Sequence, residues 1–316
     1  MIGVIGAHGF IGQSLVDHYL TKHKPITAFV RKRRNTDRLT FGPLPKIQEL
    51  SIGAPFALEL FSDIDTLVLA ASATNPRSRN SRANEVTKNV LPHIRFVENL
   101  RNTDVKHLIF ISSGGTIYGD TNGAEAIPES YPTQPITDYA YGKQSIEHVL
   151  RRLWRDQGRW LTVLRPSNPV GIHQMKSINS QGLIPTVFNN ILANQTITVL
   201  GDGSTVRDYF SVDELCALIE LLAEQKAHCH RLFNVGSGQG CSIKDVIAIG
   251  SEILGRPARI HFKMNEQPVI QTNILDTQRL RHAFGWQSMK SVADLFRDLK
   301  QREDHNTRIK ALLANG

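Results

Sequence analysis

Cysteine is scarce in this chain: three in 316 residues, Cys216, Cys229 and Cys241. Their spacing matches no metal-ligand pattern, and their odd number leaves one thiol without a pairing partner. A disulfide-stapled scaffold and a metal-centred site are therefore not expected, and a reduced, cytoplasmic setting is. No apolar run approaches the roughly 18 residues of a membrane span, so no membrane partner is expected. The first strand pattern starts at Met1, which leaves no room for a signal peptide. Internal repeats and low-complexity linkers are also missing. Aromatic residues make up only 7% of the chain. The one dense cluster of cations, Arg31-Lys32-Arg33-Arg34, has no aromatic side chains interleaved with it, which makes a poor nucleic-acid surface.

What is present is an ordinary globular composition: 41% hydrophobic, 21% charged, with a net charge of +8. The length suffices for a large core and one or two domains. Through the first half, apolar strand patterns alternate with helical ones. Strands are expected at Met1 to Ile5, Ile26 to Val30, Ile47 to Leu50, Thr66 to Ala71, His107 to Ser112 and Leu161 to Leu164. Helices are expected from Ile11, over Asn84 to Leu100 with a kink or restart near Pro92, and over Tyr139 to Arg155. Thr66 to Ala71 and His107 to Ser112 are continuous apolar runs, as strands buried on both faces should be. This alternation predicts an α/β fold, a Rossmann-type doubly wound parallel sheet. After Arg165 the texture turns loop-rich, with short strands and helices. It predicts a smaller C-terminal α+β substrate-binding region. The expected division is 1–170 and 171–316, with segments near 206–215 and 231–238 returning to the first domain.

Three motifs carry chemistry. Gly6-Ala7-His8-Gly9-Phe10-Ile11-Gly12 follows the first strand and opens a helix. Glycines there permit a tight turn, close backbone approach to a pyrophosphate, and close packing of helix on strand. The phosphates would sit at the positive helix end. A glycine trio alone marks turns everywhere; the strand before it and the helix after it give this one meaning. In Tyr139-Ala140-Tyr141-Gly142-Lys143, Tyr139 and Lys143 are four apart and share a helix face. A lysine beside a phenol favours the phenolate and makes a usable base. Ile111 to Gly119 (ISSGGTIYG) ends a buried strand, and ligands of open α/β sheets bind beyond such ends. Its hydroxyls could hold a substrate oxygen, or satisfy their own turn.

The chain resembles the extended short-chain dehydrogenase/reductases, in particular nucleotide-sugar 4-epimerases of the UDP-glucose and UDP-N-acetylglucosamine type. The resemblance rests on GAHGFIG, on LAASATNP at Leu69 to Pro76, on FISSGGTIYG and YAYGK. It continues through LRPSNPVG at Leu164 to Gly171, GDGSTVRDYF at Gly201 to Phe210 and FNVGSG at Phe233 to Gly238. It implies a bound nicotinamide dinucleotide touching Gly6, Gly9, Phe10, Ile11, Gly12, Arg31, Ala70, Ala71, Tyr139 and Lys143. It implies Tyr139 as the base at the sugar 4-hydroxyl, with Lys143 lowering its pKa and holding the nicotinamide ribose. Asn168 and Arg207 match positions that contact the sugar-nucleotide diphosphate, and Asn89 matches an asparagine of the active-site crevice. Asn273 falls where residue size limits the C2 substituent. The implied partner is a UDP-sugar, the implied role is supply of sugar nucleotides for surface polysaccharide, and the implied assembly is a homodimer.

The chain departs from the family pattern in four respects. Gly114 stands where a Ser or Thr is usual, so either Ser113 or Thr116 supplies the hydroxyl or it is absent; the two together are the favoured expectation, among catalytic and substrate-binding groups. Val30 replaces the acid that binds the ribose of NAD, and Arg31 follows, which locally favours NADP where the family implies NAD. Gly53-Ala54-Pro55 lacks the acid that meets adenine. Glu266 and Val269 stand where an Arg and an Asp hold the nucleotide ribose. The leading expectation is a 4-epimerase of a UDP-hexose or UDP-N-acetylhexosamine. An NADPH-dependent 4-ketoreductase of a nucleotide sugar is the alternative, and a non-catalytic dinucleotide-binding protein comes third.

Overall fold

The structure is a computed structural model that describes residues 1–33, 45–76, 78, 81–121, 125–154, 158–175, 182–225, 231–264 and 270–314, with side chains to residue 305. Arg34, Arg155, Cys229, Glu266 and Val269 lie outside the described residues. The chain forms two compact units, each made of three stretches. The first comprises Met1–Gly119, Glu129–Pro166 and Leu215–Val235; the second comprises Asp120–Pro128, Ser167–Glu214 and Gly236–Gly316.

The first unit is built on seven strands: β1 (Ile2–Ile5), β2 (Ile26–Val30), β3 (Lys46–Glu49), β4 (Thr66–Leu69), β5 (His107–Ile111), β6 (Trp160–Pro166) and, from later in the chain, Arg231–Val235. Every pairing in this sheet is parallel. Read across the sheet, the order runs from Arg231–Val235 through β6, β5, β4, β1 and β2 to β3. The sequence direction reverses between β1 and β4, which is the switch point where such sheets bind ligands.

The apolar runs explain why these strands are central. Leu67 and Leu69 point into a core shared with Phe29, Phe96, Phe110 and Ile146, while Val68 between them is equally buried. The edge strand β3, with sequence KIQE, is half exposed. The Leu91–Leu100 and Asp138–Leu153 helices contribute Phe96, Val97, Ile146 and Leu150 to this core. Elsewhere in the unit, Glu220, on the Val212–Glu224 helix, binds Lys22 at 2.5 Å and Lys24 at 2.6 Å. His18 of the Phe10–Thr21 helix meets the same carboxylate at 2.7 Å.

The expected kink near Pro92 takes a specific form. Arg82–Glu85 is α-helical, Val86–Val90 is one π-helical turn, and Leu91–Leu100 resumes the α-helix. Pro92 has no N–H to give the preceding turn, so the helix widens there instead of breaking.

The second unit holds a four-stranded sheet of β7 (Asn168–Val170), β9 (Val206–Ser211), β11 (Gly240–Ser242) and β13 (Thr272–Asn273). Beside it, β8 (Thr196–Leu200) pairs with β12 (Arg259–Lys263), and Arg231–Val235 takes the label β10. Its own core gathers Ile184, Phe188, Tyr209, Val246, Leu295 and Phe296. Of the two segments expected to return to the large sheet, 231–235 lies at its edge. Val206–Ser211 pairs with β7, β11 and β13 instead, and the chain rejoins the first unit from Leu215. Among the described residues no helix is long and apolar enough to cross a membrane.

Candidate active site

The glycine turn is shaped by its neighbours. Gly6 has φ +90, and a Cβ on it would lie 2.8 Å from the Ala71 backbone. A Cβ on Gly12 would lie 2.7 Å from the carbonyl carbon of Gly6, so helix and strand close onto a bare Cα. Gly9 N–H bonds Gly6 O at 2.8 Å, and Ala70 N–H bonds Ile5 O at 3.0 Å, bringing both loops together beyond β1 and β4. The Phe10–Thr21 helix starts at Gly9 with no side-chain cap and no acid in its first turn. The leading N–H groups of Phe10, Ile11 and Gly12 are thus left for an anion. This cradle, which a side chain would fill, fits the pyrophosphate of a dinucleotide.

Tyr139 and Lys143 lie on the Asp138–Leu153 helix, whose N-cap Thr137 accepts from Ala140 N–H at 3.2 Å. Lys143 is buried and donates from Nζ to Ile111 O at the end of β5, at 2.8 Å. Its ammonium stands 5.8 Å from the Tyr139 ring centre and 5.0 Å from that of Phe110. Thr116 Oγ1 donates to Ser113 Oγ at 2.8 Å, and Ser113 in turn hydrogen-bonds the Tyr139 phenol. Gly114, between these hydroxyls, has its N–H bonded to Pro166 O.

Burial drives both groups toward neutrality. It pushes the Lys143 ammonium down to about 8 against the opposing pull of Glu85 and Glu147. It pushes the Tyr139 phenol up, Ser113 offsetting and Glu85 adding to the rise. The direction for Tyr139 is opposite to the one its spacing from Lys143 suggests, because desolvation outweighs every other influence on the phenol.

Beneath the pair lies a buried polar frame. Arg165 on β6 grips Glu147 with Nε at 3.0 Å and Nη2 at 2.7 Å, while Ser112 bonds the same carboxylate. Arg165 Nη1 reaches the Tyr118 hydroxyl at 2.9 Å, and that hydroxyl donates to Asn234 Oδ1 at 2.6 Å. The frame ties β6, β10 and the strand-end loop together. Asn89, in the π turn, is buried. It accepts from Ala73 N–H at 2.8 Å and donates to Thr74 Oγ1 at 2.7 Å and Glu85 Oε1 at 2.8 Å.

At the end of β2, Val30 is buried and Arg31, Lys32 and Arg33 are exposed. Arg33 N–H bonds the Glu49 carboxylate at 2.8 Å, and its guanidinium bonds Ile47 O. An acid therefore stands beside this loop, from β3 instead of β2, and its signal in sequence is only one glutamate in a weak strand.

Asn168, Arg207 and Asn273 belong to the second unit. Asn168 donates to Asp208 O at 2.9 Å. Arg207 is half-buried, bonds the carbonyls of Val206 at 2.7 Å and Gln271 at 3.4 Å, and makes no salt bridge among the described residues. Asn273 is fully buried and stands opposite Arg207 in the β13–β9 register. Among the described residues there is no cluster of three metal-ligating side chains.

A dinucleotide cradle at the switch point, with Ser113, Tyr139 and Lys143 beyond β5, defines an extended short-chain dehydrogenase/reductase. The chain belongs to the NAD dependent epimerase/dehydratase family, whose model matches residues 2–236. A UDP-glucose 4-epimerase of Mycolicibacterium smegmatis is 27% identical over 301 residues, spanning 92% of this chain and 94% of that relative. A dTDP-4-dehydro-6-deoxyglucose reductase of Escherichia coli is also 27% identical over 301 residues, spanning 90% and 91%. The crystal structure of UDP-glucose 4-epimerase with UDP-glucose from Thermotoga maritima is similar with a TM-score of 0.85 at 25% identity, covering 97% of this chain and 99% of that one.

Proposed function

We propose that this protein is a nucleotide-sugar 4-epimerase acting on a UDP-hexose or UDP-N-acetylhexosamine. The observation that carries the reading is the hydroxyl chain from Thr116 through Ser113 to Tyr139, set beside Lys143 in a chain of this family. A dinucleotide held in the glycine cradle would supply a reversible hydride acceptor for the sugar C4 and a positive charge beside the Tyr139–Lys143 pair. Tyr139 removes the proton of the 4-hydroxyl and later returns it, so it must pass through the phenolate. Lys143 stabilises that anion and Ser113 holds the substrate oxygen beside it. Gly6, Gly9, Phe10, Ile11, Gly12, Ala70 and Ala71 bind the dinucleotide. Arg207, a half-buried cation without a carboxylate partner among the described residues, binds the diphosphate, with Asn168 beside it and Asn273 limiting the C2 substituent.

The cofactor under this reading is NAD. Glu49 restores a carboxylate to the β2–β3 end where Val30 lacks one, and the family is NAD dependent. The test is to incubate purified protein with UDP-glucose and, separately, UDP-N-acetylglucosamine, with no cofactor added, and to follow the C4 epimers by proton NMR. The denatured protein should release NAD. Stoichiometric consumption of NADPH would replace this reading with a 4-ketoreductase. That second reading is favoured by Val30 and Arg31 and by the reductase relative of equal identity.

A further inference from the structure

Glu85 ends the short Arg82–Glu85 helix with its side chain inside the protein. Carboxylates go inside only when something compensates them. Oε1 accepts from Asn89 Nδ2 at 2.8 Å, and Oε2 has no hydrogen-bond partner among the described residues. The room for this carboxylate is made by Gly142, in the middle of the helix that carries Tyr139 and Lys143. A Cβ on Gly142 would lie 2.7 Å from Glu85 Cγ and 2.9 Å from Cδ. Gly142 is not among the glycines with positive φ, so its backbone does not call for glycine, whereas the space does. Glycine is a poor residue for a helix interior.

Several elements place charged and polar groups around Lys143. Its own helix offers Tyr139 and Glu147; β5 offers the Ile111 carbonyl and the Phe110 ring. Glu147 is gripped at both oxygens by Arg165 of β6, so its charge is largely answered. His93, on the Leu91–Leu100 helix, would repel Lys143 if protonated, but burial holds it neutral. Glu85 makes no ion pair among the described residues. It is the anion left over for Lys143.

We propose that Glu85 is a positioning residue of the Tyr139–Lys143 pair, a buried carboxylate admitted by Gly142 that keeps Lys143 an ammonium and holds Asn89 in place. The proposal rests on the reading of Tyr139 and Lys143 as the reacting pair. Glu85 raises the proton affinity of both groups, so removing its charge lowers both. A bell-shaped pH profile then slides as a whole toward acid.

The decisive variant is Glu85→Gln, which retains an oxygen for Asn89 and loses the charge. The first measurement is the Lys143 titration, read from lysine side-chain carbon resonances of labelled protein and assigned with Lys143→Arg. The midpoint should fall by about one unit or more, and Glu85→Asp should restore most of it. The second is the pH profile of epimerisation, in which both limbs should move to lower pH. Gly142→Ser, which crowds the carboxylate, should shift the Lys143 midpoint the same way. A Glu85→Gln protein with a lower rate but an unmoved Lys143 midpoint and unmoved limbs would overturn the proposal, leaving Glu85 a prop for Asn89. If the wild-type protein epimerises nothing, the functional reading fails, and the Lys143 midpoint still decides the role of Glu85.

Discussion

The proposed mechanism asks Tyr139 and Lys143 both to be charged during the reaction, yet burial presses each toward its neutral form. The site therefore depends on what is brought next to them: Ser113 on the phenol, anions on the ammonium, and the charge of the dinucleotide. Tyr139→Phe should lower kcat by about 10²–10⁴-fold while leaving the circular dichroism spectrum and retained nucleotide unchanged. The Tyr139–Lys143 pair was legible in sequence because a four-residue spacing fixes a helix face. Ser113 and Thr116 were legible as hydroxyls at a strand end, though their order, Thr116 to Ser113 to Tyr139, was not. Glu85 was invisible. Its burial is decided by Gly142, 57 positions away on another helix, and no local pattern reports that. The direction of the Tyr139 shift is hidden in sequence for a related reason: spacing reveals a neighbouring charge but not the loss of water.

Among the elements, the glycine turn and the ion cluster on Glu220 make contrasting demands. In the turn, a side chain on Gly12 would meet the Gly6 backbone. Gly12→Val should therefore abolish nucleotide retention, measured as the 260 to 280 nm absorbance ratio of the purified protein, at a cost in stability of about 1–3 kcal/mol. Around Glu220, the bonds from Lys22, Lys24 and His18 hold its carboxyl down to about 2 although desolvation opposes them. Its folded-state value lies below its unfolded one, so this stabilisation is present above about 4.5 and is lost as pH falls toward 2. Glu220→Gln should cost about 2 kcal/mol in urea unfolding at pH 7 and much less at pH 3. Strands were readable because apolar runs buried on both faces leave no polar side to confuse the pattern. The break at Pro92 was readable as a break, but a widened π turn instead of a stop depends on packing that holds both halves in line.

The whole molecule carries a built-in acid limit. His93 and His107 are both buried and pushed down to about 4, desolvation being the main cause in each. Unfolded histidine takes up its proton near 6.5, so between about 6.5 and 4 the unfolded chain binds protons that the folded one refuses. Thermal scans should show Tm falling steadily as pH drops through that window, and His107→Gln should flatten the fall. The doubly wound parallel sheet followed from strand–helix alternation, whereas the excursion of Asp120–Pro128 into the second unit was not expected. Short strands such as Val206–Ser211 carry no mark of the sheet they join, because pairing across a long sequence separation is a property of the assembled fold.

That interleaving bears on how such a protein could change over generations. Arg231–Val235 closes one edge of the first unit's sheet although the second unit's Ser167–Glu214 precedes it in the chain. A single genetic crossover near residue 170 would give each descendant a nucleotide-binding sheet whose last strand comes from a different parent. Exchange of either unit as a block therefore needs more than one crossover, whereas substitutions within a unit leave both sheets intact.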